Sequence, residues 1–162
     1  MTKISIREAV SEDAELLLEF IRALAEYEHL EDQVEATAEG LRRTIFADKR
    51  AEALIAEYEG QAAGFALFFH NYSTFKGKPG IYLEDLFVKP GLRGKGIGGA
   101  LLRNLAGLAA RRGCGRLEWA CLDWNTPSIA FYRSIGAVPL SDWTTYRVTE
   151  EKLAGLGKLT SG

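Results

Sequence analysis

YLEDLFVKPGLRGKGIGGALL, residues Tyr82 to Leu102, is the stretch from which the rest of the chain is read. Tyr82 to Val88 is aromatic and branched-apolar, broken only by Glu84 and Asp85, and predicts a strand. Lys89-Pro90-Gly91 ends it, because Pro90 lacks the amide donor that a central strand needs. Arg93-Gly94-Lys95-Gly96-Ile97-Gly98-Gly99 follows. Apolar residues at Ile97, Leu101, Leu105 and Leu108 then mark one face of a helix. Glycines ahead of a helix let the backbone approach a ligand, and the helix N-terminus presents unpaired amides and partial positive charge. Arg93 and Lys95 add formal charge. A surface turn requiring positive φ angles is the simpler alternative. Four glycines between Gly94 and Gly99, flanked by two cations, favour a phosphate or pyrophosphate site.

Two nucleotide readings fit less well. Gly94, Gly96 and Gly99 satisfy G-x-G-x-x-G, with Glu118 about 20 residues on. That fingerprint needs its first glycine against the strand end, and here Lys89 to Arg93 intervene. It also belongs to a first strand, whereas this one is mid-chain. A Walker loop needs Ser or Thr after Gly-Lys, and Gly96 stands there. Gly157-Lys158 is followed by Leu159 and has no strand before it.

Arg93-x-x-Gly96-x-Gly98 follows the pattern R/Q-x-x-G-x-G/A, and here the sequence resembles the GNAT N-acetyltransferases, which hold the pyrophosphate of acetyl-CoA on it. Glu26–Val34, Tyr82–Val88 and Leu122–Ala137 resemble the diamine/polyamine and thialysine branch of that superfamily. The resemblance extends from about Ile4 to Leu156. It implies the GNAT-type acyl-CoA N-acyltransferase fold, an α/β (α+β) architecture with a mixed, mostly antiparallel twisted sheet and helices on both faces. It also implies direct transfer of acetyl from acetyl-CoA to an amine, and a homodimer. By position, the resemblance makes Glu84 the general base, directly or through water. Tyr132, in the block N-x-P-S-x-x-F-Y from Asn125, becomes the general acid. The coenzyme would be held by Leu86, Phe87 and Val88 through their amides, by Arg93, Gly94, Lys95, Gly96, Ile97, Gly98 and Gly99, and by Asn125, Pro127 and Ser128. Tyr27 and Glu28, with Glu84, would contact the amine.

The 162 residues, 47% hydrophobic and 26% charged, predict one soluble domain with a real core, ordered from about residue 3 to 154 and ending in a flexible tail over 155–162. A net charge of −2 gives no reason to expect nucleic acid. No apolar run is long enough to span a membrane, and MTKISIREA lacks the apolar core of a signal peptide, so a cytoplasmic protein is expected. Cys114 and Cys121 predict reduced thiols. His29 and His70 have no second ligand at metal spacing, so no metal is expected.

Lys3 to Arg7 predicts a first strand. Ser11 is a candidate cap for a helix carrying Ala14, Leu17, Leu18, Ile21, Leu24 and Ala25 on its core face. Between Arg22 and Arg42 lie Glu26, Glu28, Glu31, Asp32, Glu35 and Glu39 with no Lys or Arg. Such a run is either a solvated helix end or a rim attracting a cationic substrate. A second helix is expected over Thr37–Ala47. Ala53–Tyr58 and Ala62–His70 should form a hairpin, and Asn71–Gly80 a polar loop at a substrate entrance. Gly113 should stop the helix after the glycine loop, before a strand over Arg116–Leu122. Thr126 should cap a helix with Pro127 at its first position. Ala137–Leu140 and Thr144–Val148 read as short strands, and Thr149 as the cap of a last helix.

Acetyl transfer to an amine needs deprotonation of an ammonium with a pKa of about 10.4, polarisation of the thioester carbonyl, and a proton for the thiolate. Glu84, mid-strand among apolar neighbours, suits the first role, unless it merely pairs with a buried arginine. Strict alternation would put Asp85 on the other face. Tyr132 suits the third role. Cys121 has no His near it in sequence, which argues against a covalent route. Acetylation of another amine class (an amino acid, an antibiotic or a protein lysine) and a non-catalytic acetyl-CoA sensor are the alternatives, with a dinucleotide oxidoreductase further off. The acid-free Ser73–Lys76 stretch favours short diamines or lysine analogues over long polyamines.

Overall fold

The computed structural model describes residues 3–158. The chain divides after Ala120 into two compact units, Met1–Ala120 and Cys121–Gly162.

The first unit is built on a five-stranded sheet in the order β1 (Ile4–Glu8), β2 (Glu52–Tyr58), β3 (Gln61–Ser73), β4 (Lys78–Val88), β5 (Leu117–Trp119). The first three pairings are antiparallel, and β4–β5 is parallel. Parallel neighbours need a crossover, and α3 (Ile97–Arg111) supplies it. One face of the sheet packs on α1 (Ala14–Tyr27), where Leu17 and Phe20 join Ile55, Phe65 and Phe87 in one buried cluster. The Phe20 and Phe65 rings stack at 5.6 Å. Ile97, Leu101 and Leu105 of α3 are buried as well. On that side Arg112, the C-cap of α3, bonds His70 of β3 at 2.8 Å. Helices therefore lie on both faces, as the sequence implies.

Between Phe20's helix and β2 the chain forms α2 (Ala38–Leu41), which Thr37 caps by accepting a 3.0 Å bond from the Gly40 amide. It continues as a π-helical turn, Arg42–Ala47, so the helix expected over Thr37–Ala47 is present in two forms. At the start of α1 the cap differs from the expectation. Ser11 begins a 3-10 turn, and Asp13 is the N-cap residue of α1; its side chain bonds no α1 amide but closes the 3-10 turn, accepting from the Val10 amide at 2.8 Å and from both Arg7 terminal nitrogens at 2.8 and 2.9 Å.

The expected loop Asn71–Gly80 is mostly strand. The β3–β4 ladder continues to the pair Ser73↔Lys78, leaving only residues 74–77 as the turn. The polar residues there find polar partners: Asn71 donates to Glu118 at 3.1 Å, the Tyr72 carbonyl accepts from Arg116 at 2.9 Å, and the buried Ser73 hydroxyl accepts from the Lys76 amide at 3.2 Å. One irregularity interrupts this ladder. Leu67 pairs with Asp85 but Phe68 pairs with Leu83, which leaves Glu84 as an extra residue, a β-bulge.

The second unit holds α4 (Thr126–Ser134) and α5 (Glu150–Gly157). Asn125, not Thr126, is the N-cap of α4, with Pro127 in its first turn. Ala137–Leu140 and Thr144–Val148 are not strands. A strand needs a ladder partner, and these segments have none among the described residues; Val138, Trp143 and Tyr146 are 77, 80 and 92% exposed. The expected tail begins as the last turn of α5, and residues 159–162 of it lie outside the described residues. No described helix is long and apolar enough to cross a membrane.

Candidate active site

The site is organised by the end of β4. Its pairing with β5 covers only Ile81↔Leu117, Tyr82↔Glu118 and Leu83↔Trp119. Beyond Leu83 the two strands part, while the other edge of β4 stays paired to β3 as far as Val88. Glu84 to Val88 therefore has one backbone edge with no strand beside it. Amides on that edge are available to a ligand, because a strand residue directs its N–H to one side only.

The chain then turns through Pro90–Leu92 into the glycine loop. Gly94 and Gly96 have φ of 79° and 88°, a region that costs side-chain-bearing residues free energy. Gly96 is the left-handed N-cap of α3, and the first helical bond runs from the Ala100 amide to the Gly96 carbonyl at 3.0 Å. The amides of Ile97, Gly98 and Gly99 precede that bond and have no intrahelical acceptor. The loop is thus an anion cradle by geometry, with glycine where the backbone demands it. Arg93 donates from Nε to the Val88 carbonyl at 3.0 Å, and its guanidinium lies over Tyr27 at 4.5 Å and Phe87 at 5.7 Å. Lys95 stands over Tyr58 at 5.5 Å.

Tyr27 ends α1 and Glu28 is its C-cap, so the expected amine-contacting residues sit beside the expected coenzyme-contacting Arg93. Glu28 is the half-buried member of the six-acid segment; the other five are exposed. Burial pushes its carboxyl above the ordinary range. Glu84 differs from the expectation in setting. It is exposed at the bulge rather than enclosed by apolar neighbours, and no arginine pairs with it among the described residues. The bulge also overturns strict alternation. Asp85 stands on the α1 face in register with Leu67, and its carboxyl is pushed up to about 6 by burial and by the charges of Glu84 and Glu28. The sequence marks Asp85 only as the neighbour of Glu84 in a strand.

Glu118, once a candidate ribose ligand, serves the sheet. It takes Arg116 at 2.8 Å and Asn71 at 3.1 Å. In the second unit Asn125 is buried, 7% exposed, at the head of α4. Ser128 and Tyr132 follow on the helix, both half-buried, and the Tyr132 ring lies 5.7 Å from that of Phe131.

A mixed sheet whose fourth and fifth strands part above a glycine-rich helix N-terminus defines an enzyme that carries acyl groups on coenzyme A. Residues 14–137 match the acetyltransferase (GNAT) family, and the chain belongs to that family as an acetyl-CoA-dependent N-acetyltransferase. It is 39% identical to a thialysine N-epsilon-acetyltransferase of Bos taurus, over 96% of this chain and 98% of that one. A thialysine N-epsilon-acetyltransferase of Caenorhabditis elegans is 38% identical, over 91% and 93%. Among solved structures, an integron cassette protein from the mobile metagenome of V. cholerae superposes with a TM-score of 0.81 at 27% identity, covering 98% of this chain and 100% of that one.

Proposed function

We propose that the protein moves the acetyl group of acetyl-CoA directly to a primary amine of a small cationic acceptor, a lysine analogue or short diamine. The observation that carries this reading is the open β4 edge from Glu84 to Val88, which runs straight into the anion cradle at Gly94–Gly99 and has carboxylates at its other end. In this reading the cradle and Arg93 hold the pyrophosphate, and Asn125, Pro127 and Ser128 the coenzyme arm. The β4 amides carry the pantetheine and polarise the thioester carbonyl. Glu84 meets the ammonium and takes its proton. Tyr132 protonates the departing thiolate. Tyr27 and Glu28 bind the acceptor's second charge. Full-length relatives that acetylate thialysine support the acceptor class. The turn at residues 74–77, which holds no acid, favours short acceptors over long polyamines.

Two further properties belong to the same reading. The exposed Val138, Trp143 and Tyr146 side chains support a homodimer, to be checked by sedimentation. The reduced thiols of Cys114 and Cys121 support a cytoplasmic setting.

The test is thiol release from acetyl-CoA across an amine panel, with Gly96→Asp beside the wild type. Turnover should be highest with lysine analogues and short diamines. The variant should lose acetyl-CoA binding, since it sets a carboxylate against the pyrophosphate in a strained conformation. Unchanged binding by Gly96→Asp places the coenzyme elsewhere.

A further inference from the structure

Glu28, Glu84 and Asp85 are three carboxylates with no hydrogen-bonded or ion-paired side chain among the described residues. Half-burying a carboxylate beside other negative charges is costly without a cation, unless the cation is a ligand. The bulge explains how they come together. Ala53↔Leu67↔Asp85 and Ile55↔Phe65↔Phe87 are successive rows of the sheet on the α1 face, and Glu28 ends α1 over that face. Without the extra residue, Leu83 and Asp85 would share a face. With it, Leu83 pairs with Phe68 on the α3 side, and Asp85 lies under the end of α1 with Glu84 exposed beside it. The nearest cations in sequence are occupied: Lys89 lies over Phe20 at 5.9 Å, and Arg93 over Tyr27 and Phe87.

We propose that the proton leaving the acceptor's ammonium comes to rest on Asp85, the half-buried carboxylate that the bulge turns to the α1 face, with Glu84, exposed beside it, as the group that relays it. This rests on the acetyltransferase reading above and assigns one further catalytic residue within it. A half-buried carboxylate beside two negative charges accepts a proton readily, because doing so relieves both repulsion and desolvation; Asp85, pushed up to about 6, is close to the range that suits a general base. The step balances. The ammonium N–H bond breaks and an O–H bond forms on Asp85. The neutral nitrogen attacks the thioester carbon and the C–S bond breaks. The nitrogen's second proton is lost as the amide forms, the thiolate gains one, and Asp85 returns its own to water. One ammonium and one thioester yield one amide, one thiol and one proton.

The experiment is the pH dependence of kcat/KM for a short diamine, in wild type, Asp85→Asn, Asp85→Glu and Glu84→Gln, with acetyl-CoA binding and thermal melting measured on each. The expected wild-type profile has an acid limb centred near 6. Asp85→Asn should lose about 10²–10⁴-fold in kcat, the contribution typical of a general base, and lose the limb while still binding acetyl-CoA. Asp85→Glu should recover part of the rate and the limb. Glu84→Gln should lower kcat, because a carboxamide cannot relay the proton, but keep the limb and move it to lower pH, because it removes one of the charges that raise Asp85; this arm stands even if Asp85→Asn does not fold. An Asp85→Asn enzyme within about threefold of wild type, or a limb that survives in Asp85→Asn and vanishes in Glu84→Gln, overturns the proposal while leaving the acetyltransferase reading in place. A wild-type protein that binds acetyl-CoA but releases no thiol with any amine sinks both.

Discussion

Asp13 ties β1 to the start of α1. It takes both terminal nitrogens of Arg7 and closes the 3-10 turn through the Val10 amide. The Arg7 guanidinium holds its carboxyl below the usual range, with a smaller contribution from the Val10 amide, against the opposing effect of burial. A depressed carboxyl contributes stability that is complete above the unfolded value, about 3.9, and is lost as pH falls through the folded one. Asp13→Asn should therefore cost about 2 kcal/mol at pH 7, as lost charge-assisted bonds and a weakened turn. In urea titrations at pH 7, 4 and 3 the gap between wild type and variant should narrow as the pH drops; a constant gap would mean that the pair carries no linkage. Tyr132→Phe is the corresponding test of the proposed acid. It removes one hydroxyl and should lower kcat about 10²–10⁴-fold with little change in acetyl-CoA affinity. Near-normal turnover would take Tyr132 out of the chemistry. The residues at these two positions differ in how far the sequence exposes them. Tyr132 is marked by a motif. Asp13 is hidden behind Ser11, because both are good cap residues and only the reach of Arg7 from β1 decides between them.

The joint between β3 and β4 is the element on which the site depends. A Cβ at Gly64 would run into the Phe87 carbonyl oxygen and lie 3.1 Å from Val88 Cα, with backbone on the far side that cannot rotate away. Gly64→Ala should push β4 outward where its amides are proposed to meet the coenzyme. The expected outcome is a melting point lowered by several degrees, as for roughly 1–3 kcal/mol of overpacking, together with weakened acetyl-CoA binding measured by calorimetry. A variant that melts lower but binds normally would dissociate the joint from the site. The hairpin joining β2 and β3 was readable from Glu59-Gly60, which occupies two positive φ angles, 50° and 81°, as a tight hairpin requires. The Glu84 bulge was not readable. Its cause is a register offset between two long strands, and the sequence of β4 alone shows only an apolar run broken by Glu84 and Asp85, with nothing to mark which residue the ladder leaves out. The segments at 137–140 and 144–148 failed the opposite way. Their β-branched and aromatic residues favour strands, but pairing is a tertiary property that composition does not report.

For the molecule as a whole, the glycine loop and the helix–strand order fixed the architecture in advance, whereas the placement of charge needed the fold. The chain carries a net charge of only −2, yet Glu26, Glu28, Glu31, Asp32, Glu35 and Glu39 form a stretch without Lys or Arg, and none of them is ion-paired among the described residues. Glu28, at the end of α1, connects that stretch to Glu84 and Asp85 through the mutual repulsion that raises Asp85. A field of one sign at an entrance concentrates cations, and its reach is about 8 Å at physiological ionic strength. A second ammonium a few carbons away also lowers the first amine's pKa, which eases deprotonation. A diamine or lysine analogue should therefore exceed a monoamine of equal length in kcat/KM. The advantage should shrink as salt is raised from low to high, and Glu28→Gln should shrink it at low salt by removing the half-buried charge of the acidic stretch. The measurement is the ratio of the two kcat/KM values in each condition. Equal values for the two amines, or a preference for a neutral acceptor, would separate the acidic stretch from substrate choice and leave it as a solvated helix end.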